Sequence, residues 1–283
     1  MELDDFADEV GTDDPVTISG LATRGGPVPD VRCVRAPVGI DWIQADEMIV
    51  RCGAGTPVDE LDAALADVGQ RVCLPPGGTV GGALAVGRSG LRRLGDGPVR
   101  NTLLQARYVS AVGEVVKGGG PTVKNVSGFD ICRLLVGSHG TLGFLGEVIL
   151  RTRPRPAASQ WFSVAATDPW PVFATLHRPT SVLWDGEAVW ALLEGHPDDI
   201  AGQAAGLGLA TVDGPPTPPA GRTSVPPSTL GALTGRFLAE LGVGIVHGDA
   251  PARPAPDPAV LALNRRVKFE FDPAARLNPG RHP

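Results

Sequence analysis

The sequence predicts an α+β fold in more than one domain, and three observations carry this. Strand-like and helix-like runs are mixed along the 283 residues, with no repeat of solenoid period. The composition changes after PRP (154–156): Trp161, Trp170, Trp184 and Trp190 follow closely, and only Trp42 lies outside that stretch. The run behind this break reads β-α-β-β-α, which suggests half of a ferredoxin-like layer.

In order, DPVTIS (14–19) reads as a short strand and GLATRGGPVPD (20–30) as a turn-rich loop. MIVRCGAG (48–55) is the next strand: Met48, Val50 and Cys52 alternate with Ile49 and Arg51, and glycines end it. TPVDELDAALADVGQ (56–70) is the clearest helix. Thr56 can cap it, Pro57 suits its first position, and Asp59 and Glu60 favour the positive end of its dipole. Val58, Leu61, Leu65 and Val68 share one face, and Gly69 ends it. LPPGGTVGGALAVGRSG (74–90) reads as a glycine-rich loop, and LLQARYVSAVGEVVKGGG (103–120) as two strands around Val112-Gly113. VSGFDICRLLVG (126–137) reads as a short helix with Ile131, Leu134 and Leu135 inward and Gly137 at its end. GEVILRTRPRP (146–156) is a strand stopped by Pro154 and Pro156.

Beyond the break, WFSVAA (161–166) is a strand and PVFATLH (171–177) a helix. SVLWDGEAVWALLEG (181–195) is a hairpin turning at Asp185-Gly186, and DDIAGQAAGLG (198–208) a second helix. DGPPTPPAGRTSVPP (213–227) reads as a flexible link. A second proline-rich run, PARPAPDP (251–258), precedes the tail RRVKFEFDPAARLNPGRHP.

A net charge of −6 argues against a general affinity for nucleic acid. No run approaches ~18 uninterrupted apolar residues, so no membrane span is expected. The acidic N-terminus lacks the features of a signal peptide, which predicts a cytoplasmic protein. Cys33, Cys52, Cys73 and Cys132 form no C-x-x-C pair, so neither a metal site nor an iron–sulfur cluster is expected.

The chemistry lies in the glycines. GSHGTLGFLGEVIL (137–150) places one at every third position, which fits neither a helix face nor a strand face. With 20–26 and 76–90 it makes three loops poor in side chains. Such loops let backbone N–H groups approach phosphate oxygens. Taken singly, each serves equally well as a tight turn or helix cap; together they point to a large phosphate-bearing cofactor. Neither a P-loop nor a G-x-G-x-x-G unit is present.

PPGGTVGGALAVGRSGLRR, VKNVSGFDICRLLVGSHGTLGFLGEVILRTRPRP and the closing FDPAARLNPGR resemble the vanillyl-alcohol-oxidase type of FAD-binding domain, the PCMH fold. Within it they resemble the FAD-binding subunit of bacterial glycolate oxidase. The resemblance covers about 14–195 and 265–281. It implies an FAD domain of two α+β subdomains (1–156), a small ferredoxin-like cap (157–250) and a C-terminal return to the flavin domain (251–283). It implies non-covalent FAD held by Gly20, Thr23 and Arg24, by Pro76, Gly77, Gly78, Thr79, Gly81, Gly82, Ser89 and Gly90, and by Gly140, Gly143, Glu147, Val148 and Asn278. Lys124 and Asn125 match the family's K-N-V and would lie near the flavin domain's interior and order the loop. The first loop departs from the pattern, since Leu21 and Ala22 replace two glycines. If those positions need positive φ, each replacement costs about 1 kcal/mol. His139 reads as an incidental loop residue.

Oxidation of a small 2-hydroxy acid needs a base and a cation for the carboxylate. His247 is the candidate base and Arg92 the candidate cation; the alternatives are a structural histidine and a surface or intersubunit arginine. The family implies two partners: a larger catalytic flavoprotein subunit and an iron–sulfur subunit. Two other readings stay open. One is a degenerate, non-catalytic subunit kept for assembly; the other is a MurB-like reductase.

Overall fold

The computed structural model describes residues 2–121, 129–249 and 257–282. Lys124 and Asn125, and residues 126–128 of the expected helix, lie outside these. The chain divides into two units, one of residues 1–89, 98–155 and 256–283, the other of 90–97 and 156–255.

The first unit opens with helix α1 (Leu3–Val10), whose Leu3, Phe6, Ala7 and Val10 are buried. The acidic leader thus hides an amphipathic helix with apolar residues three and four apart. Strand β1 (Val16–Ile18) pairs in parallel with β2 (Arg32–Val34). Strands β3 (Ile40–Gln44) and β4 (Ile49–Gly53) form an antiparallel pair. Helix α2 (Val58–Ala66) is shorter than expected and buries Val58, Leu61 and Leu65. Val68 falls beyond its end and is exposed. The hydroxyl of Thr56 does not cap α2; it accepts from the amide of Gly39 and donates to its carbonyl. Strand β5 (Gln70–Val72) follows.

The 74–90 run is not all loop, because it contains helix α3 (Val80–Val86). Its cap is Thr79, whose side chain accepts from the amide of Gly82. Helix α4 (Arg93–Asp96) lies in the excursion that belongs to the second unit. Strands β6 (Leu103–Val109) and β7 (Val115–Gly119) form the expected hairpin. Helix α5 (Ile131–Leu135) is capped by Asp130 and buries Cys132 and Leu135. Leu134, expected inward, is exposed. A five-residue helix packs too narrow a face for all three predicted residues.

Strand β8 (Phe144–Pro154) is the backbone of the six-stranded antiparallel sheet, in the order β3-β4-β8-β6-β7 with β5 also pairing β8. Phe6, Leu61, Leu84, Phe144 and Leu150 lie at the centre of this unit's core.

The second unit contains β9 (Ala158–Ala165), α6 (Trp170–Thr175), β10 (Ser181–Trp184), β11 (Ala188–Gly195), α7 (Pro197–Gly206) and β12 (Ala210–Val212). The sixth element, β12, completes the ferredoxin-like order that the sequence showed only in part. Three more strands extend the sheet: β13 (Arg222–Ser224), β14 (Phe237–Glu240) and β15 (Ile245–Gly248). The full order is β12-β9-β11-β10-β14-β15-β13. Part of the expected flexible link is therefore a strand, with Arg222 opposite His247 and Ser224 opposite Ile245.

The chain returns to the first unit through α8 (Pro258–Phe271), capped by Asp257. After it, Leu277 bridges Val16 of β1 in parallel.

Candidate cofactor site

The first unit contains a cleft that opens to solvent, about 810 Å³ when the open space at its mouth is counted. Gly20, Thr23 and Arg24 line it from the first loop, and Thr79, Gly81 and Gly82 from the start of α3. Gly140, Gly143 and Asn278 line it from the third loop and the C-terminal segment. Ile18, Val86, Phe144 and Leu145 add apolar wall. Among the described residues, Arg24 and Arg281 line it as charged side chains beside His139, and no carboxylate does. Such walls suit a ligand that is part aromatic and part anionic.

Asn278 ties the cleft together. Its Oδ1 accepts from the Thr17 hydroxyl at 2.7 Å and the Ile18 amide at 3.3 Å. Its Nδ2 donates to the His139 carbonyl at 2.7 Å. It is buried, with φ 45°, a conformation asparagine tolerates better than most residues. One side chain thus joins β1 to the third glycine loop. Gly140 answers to the same packing: at φ 69° a Cβ would lie 2.7 Å from that Nδ2. Bareness here serves loop-to-loop contact as well as ligand access. At Gly146 the space is taken by α1, since a Cβ would meet Leu3 Cδ1 at 2.2 Å.

Arg24 acts as a fastener. Its Nη1 donates to the Gly77 carbonyl at 2.6 Å, and its Nη2 to the carbonyls of Pro75 and Pro76 at 2.9 and 2.8 Å. Burial lowers its pKa, and Asp59 opposes that shift. The Gly77 amide donates to Asp59. Pro76, Gly77 and Gly78 therefore stand behind Arg24, off the cleft wall. Ser89 also lies off it, accepting from the Val99 amide. Gly90 belongs to the second unit. Glu147 sits between Arg51 and Arg107, at 2.7 and 2.8 Å, and Val148 is buried in the core; neither lines the cleft.

The proposed catalytic pair lies in the second unit. Arg92 is bound by both oxygens of Glu194, at 2.6 and 2.7 Å, and approaches Asp96 at 3.3 Å. Glu194 also accepts from Ser159 and Thr180. His247 pairs with Glu240. Sequence reasoning missed His139, Ser138, Ala22 and Arg281 as lining residues; the run of small residues around each was the available signal. Among the described residues no His/Cys/Asp/Glu group fits a metal ion, and no helix is long and apolar enough to cross a membrane.

Residues 17–119 match the family described as FAD binding domain. With the fold and the cleft, this match supports FAD as the cofactor of the first unit. Over 157 residues the chain is 39% identical to glycolate oxidase subunit GlcE of Escherichia coli, covering 51% of this chain and 44% of that one. Over 116 residues it is 38% identical to a D-lactate dehydrogenase of Archaeoglobus fulgidus, covering 40% and 26%. The chain thus spans less than half the length of these relatives. In fold it is similar to alkyldihydroxyacetonephosphate synthase, with a TM-score of 0.67 at 14% identity, over 94% of this chain and 73% of that one.

Proposed function

We propose that the chain is an FAD-dependent oxidoreductase subunit of the glycolate oxidase and D-lactate dehydrogenase type, acting on a small 2-hydroxy acid. The observation that carries this is the cleft itself: the first and third glycine loops, the start of α3 and the C-terminal segment line a space that has, among the described residues, two arginines and no carboxylate on its walls. FAD, when bound, supplies the two-electron acceptor. The loops hold it through backbone groups, and Arg281 offers charge to its pyrophosphate. Binding is non-covalent, so acid precipitation releases intact FAD. The second unit serves the substrate side. Onward electron transfer falls to an iron–sulfur subunit, in a complex with a larger flavoprotein subunit.

A second reading, a non-catalytic assembly subunit, is favoured by the commitment of Arg92 to Glu194. The test is the visible spectrum of the purified chain, followed by anaerobic addition of glycolate or D-lactate. Flavin bands that bleach support the first reading. A folded, colourless chain that takes up no added FAD leaves the second.

A further inference from the structure

Leu21 and Ala22 interrupt the first glycine loop. Leu21 has none of the backbone that calls for glycine, since its φ is not positive; the strain falls on Ala22, at φ 55°. Leu21 is 57% exposed. Among the described residues it is the one large, strongly exposed apolar side chain on the cleft wall. A lone leucine on open surface needs no explanation, but one on the wall of a ligand cleft does.

The loop that carries it is held on both sides. The Ser19 amide donates to the Val34 carbonyl at 3.0 Å. Gly20 lies so close to the start of α3 that a Cβ would stand 2.7 Å from the Thr79 hydroxyl oxygen. Beyond Leu21, Arg24 is fastened to the carbonyls of Pro75, Pro76 and Gly77. Leu21 cannot leave water by folding its loop away without breaking these contacts. The strain at Ala22 agrees, because it shows a loop kept in a shape that costs energy. Ile18, Val86 and Leu145 continue the apolar wall, and Arg24 and Arg281 add positive charge to it. Such a wall fits a ligand that joins a flat apolar ring to an anion, and FAD has two ring systems joined through a pyrophosphate.

We infer that Leu21 is a specificity-determining residue, a platform on which one aromatic ring of FAD packs, the adenine or the isoalloxazine. This rests on FAD as the cofactor. Packing takes out of water a leucine that the empty cleft leaves wet, and the gain follows the apolar area covered. Leucine neither donates nor accepts a hydrogen bond, so the platform rewards a ring and gives nothing to a phosphate alone.

Two measurements test it. The first is titration of the flavin-free chain with FAD, followed by flavin fluorescence. Leu21→Ala is expected to weaken binding by about fivefold or more, and Leu21→Met by less than about twofold. The thermal midpoint of the empty Leu21→Ala chain is expected to stay at the wild-type value, because the side chain it removes is exposed. The second needs no altered affinity: ¹³C NMR of the leucine methyl groups, with Leu21→Ala identifying the signals. FAD is expected to move the Leu21 methyl signals upfield, as the face of a ring does, and cross-relaxation to adenine or to isoalloxazine protons names the ring. Unchanged affinity in Leu21→Ala, or methyl signals that FAD does not move, overturns the inference and leaves the cofactor reading intact. A folded wild-type chain that takes up no FAD defeats both, and shows it before any variant is made.

Discussion

Ala22 occupies the left-handed region, φ 55°, in the first glycine loop, while Leu21 beside it does not. Of the two replacements in that loop, only one is strained. Left-handed backbone costs an L-residue about 1–2 kcal/mol, and glycine's extra freedom when unfolded offsets about 0.4–1 kcal/mol. Ala22→Gly is therefore expected to stabilise the chain by roughly 0.5–1 kcal/mol, read from the midpoint of urea unfolding. Gly140→Ala should act the other way, through φ 69° and the clash with Asn278, and also weaken FAD retention, measured by flavin fluorescence after gel filtration. Burial pushes the Cys52 thiol up to about 12, helped by Asp41, and Cys132 up to about 11, helped by Asp130. Both should resist alkylation in the native chain at pH 8, while exposed Cys33 reacts, as mass spectrometry of the labelled peptides will show. A raised thiol pKa gives stability that is full below the unfolded value of 9.0 and falls as pH climbs towards the folded values. Unfolding free energy should therefore drop above about pH 9, and less steeply in Cys52→Ala.

At the scale of elements, the C-terminal helix and turn act as a latch. Lys268 Nζ donates to Asp272 Oδ2 and to the carbonyls of Thr141 and Leu277. Asp272 accepts from the amides of Arg276 and Leu277. Arg276 reaches the carbonyls of Val10, Asp14 and Ala111, and burial lowers its pKa before Asp272 opposes the shift. Asp272→Ala removes the counter-charge of the Lys268 ammonium and leaves two amides unpaired. About 3–5 kcal/mol of destabilisation is expected, seen as a lower midpoint in thermal unfolding. The latch was only half legible. FDPAARLNPGR gave the turn by resemblance, but α8 was hidden behind proline-rich sequence, although Asp257 and Pro258 carry an N-cap and first-turn signal. The helix α1 was masked by its own acidic residues, though Leu3, Phe6, Ala7 and Val10 keep helical spacing. Strong periodic runs such as β4, α2 and β8 were plain. What sequence could not show was partner choice. Nothing local tells Thr56 to bind Gly39 rather than cap α2, or Arg24 to hold carbonyls rather than phosphate.

At the scale of the whole molecule, the chain leaves the first unit twice, at 90–97 and at 156–255, and comes back each time. The glycine loops and the family motifs belong almost wholly to the first unit, which is why the cofactor was legible and the substrate was not. In the second unit the side-chain bond between Glu240 and His247 runs diagonally across two paired strands, set by register and not by spacing. Removing residues 272–283 is expected to abolish flavin retention while the far-UV spectrum of the remaining secondary structure persists in part, checked by circular dichroism beside absorbance.

The bond from Thr17 to Asn278 joins residues 261 positions apart. During synthesis on the ribosome, the first glycine loop emerges long before the asparagine that braces it. The cleft cannot close until residue 278 has been made, so flavin reports that synthesis has passed that point. A nascent chain stalled before residue 278 should remain colourless, however well its earlier strands have paired.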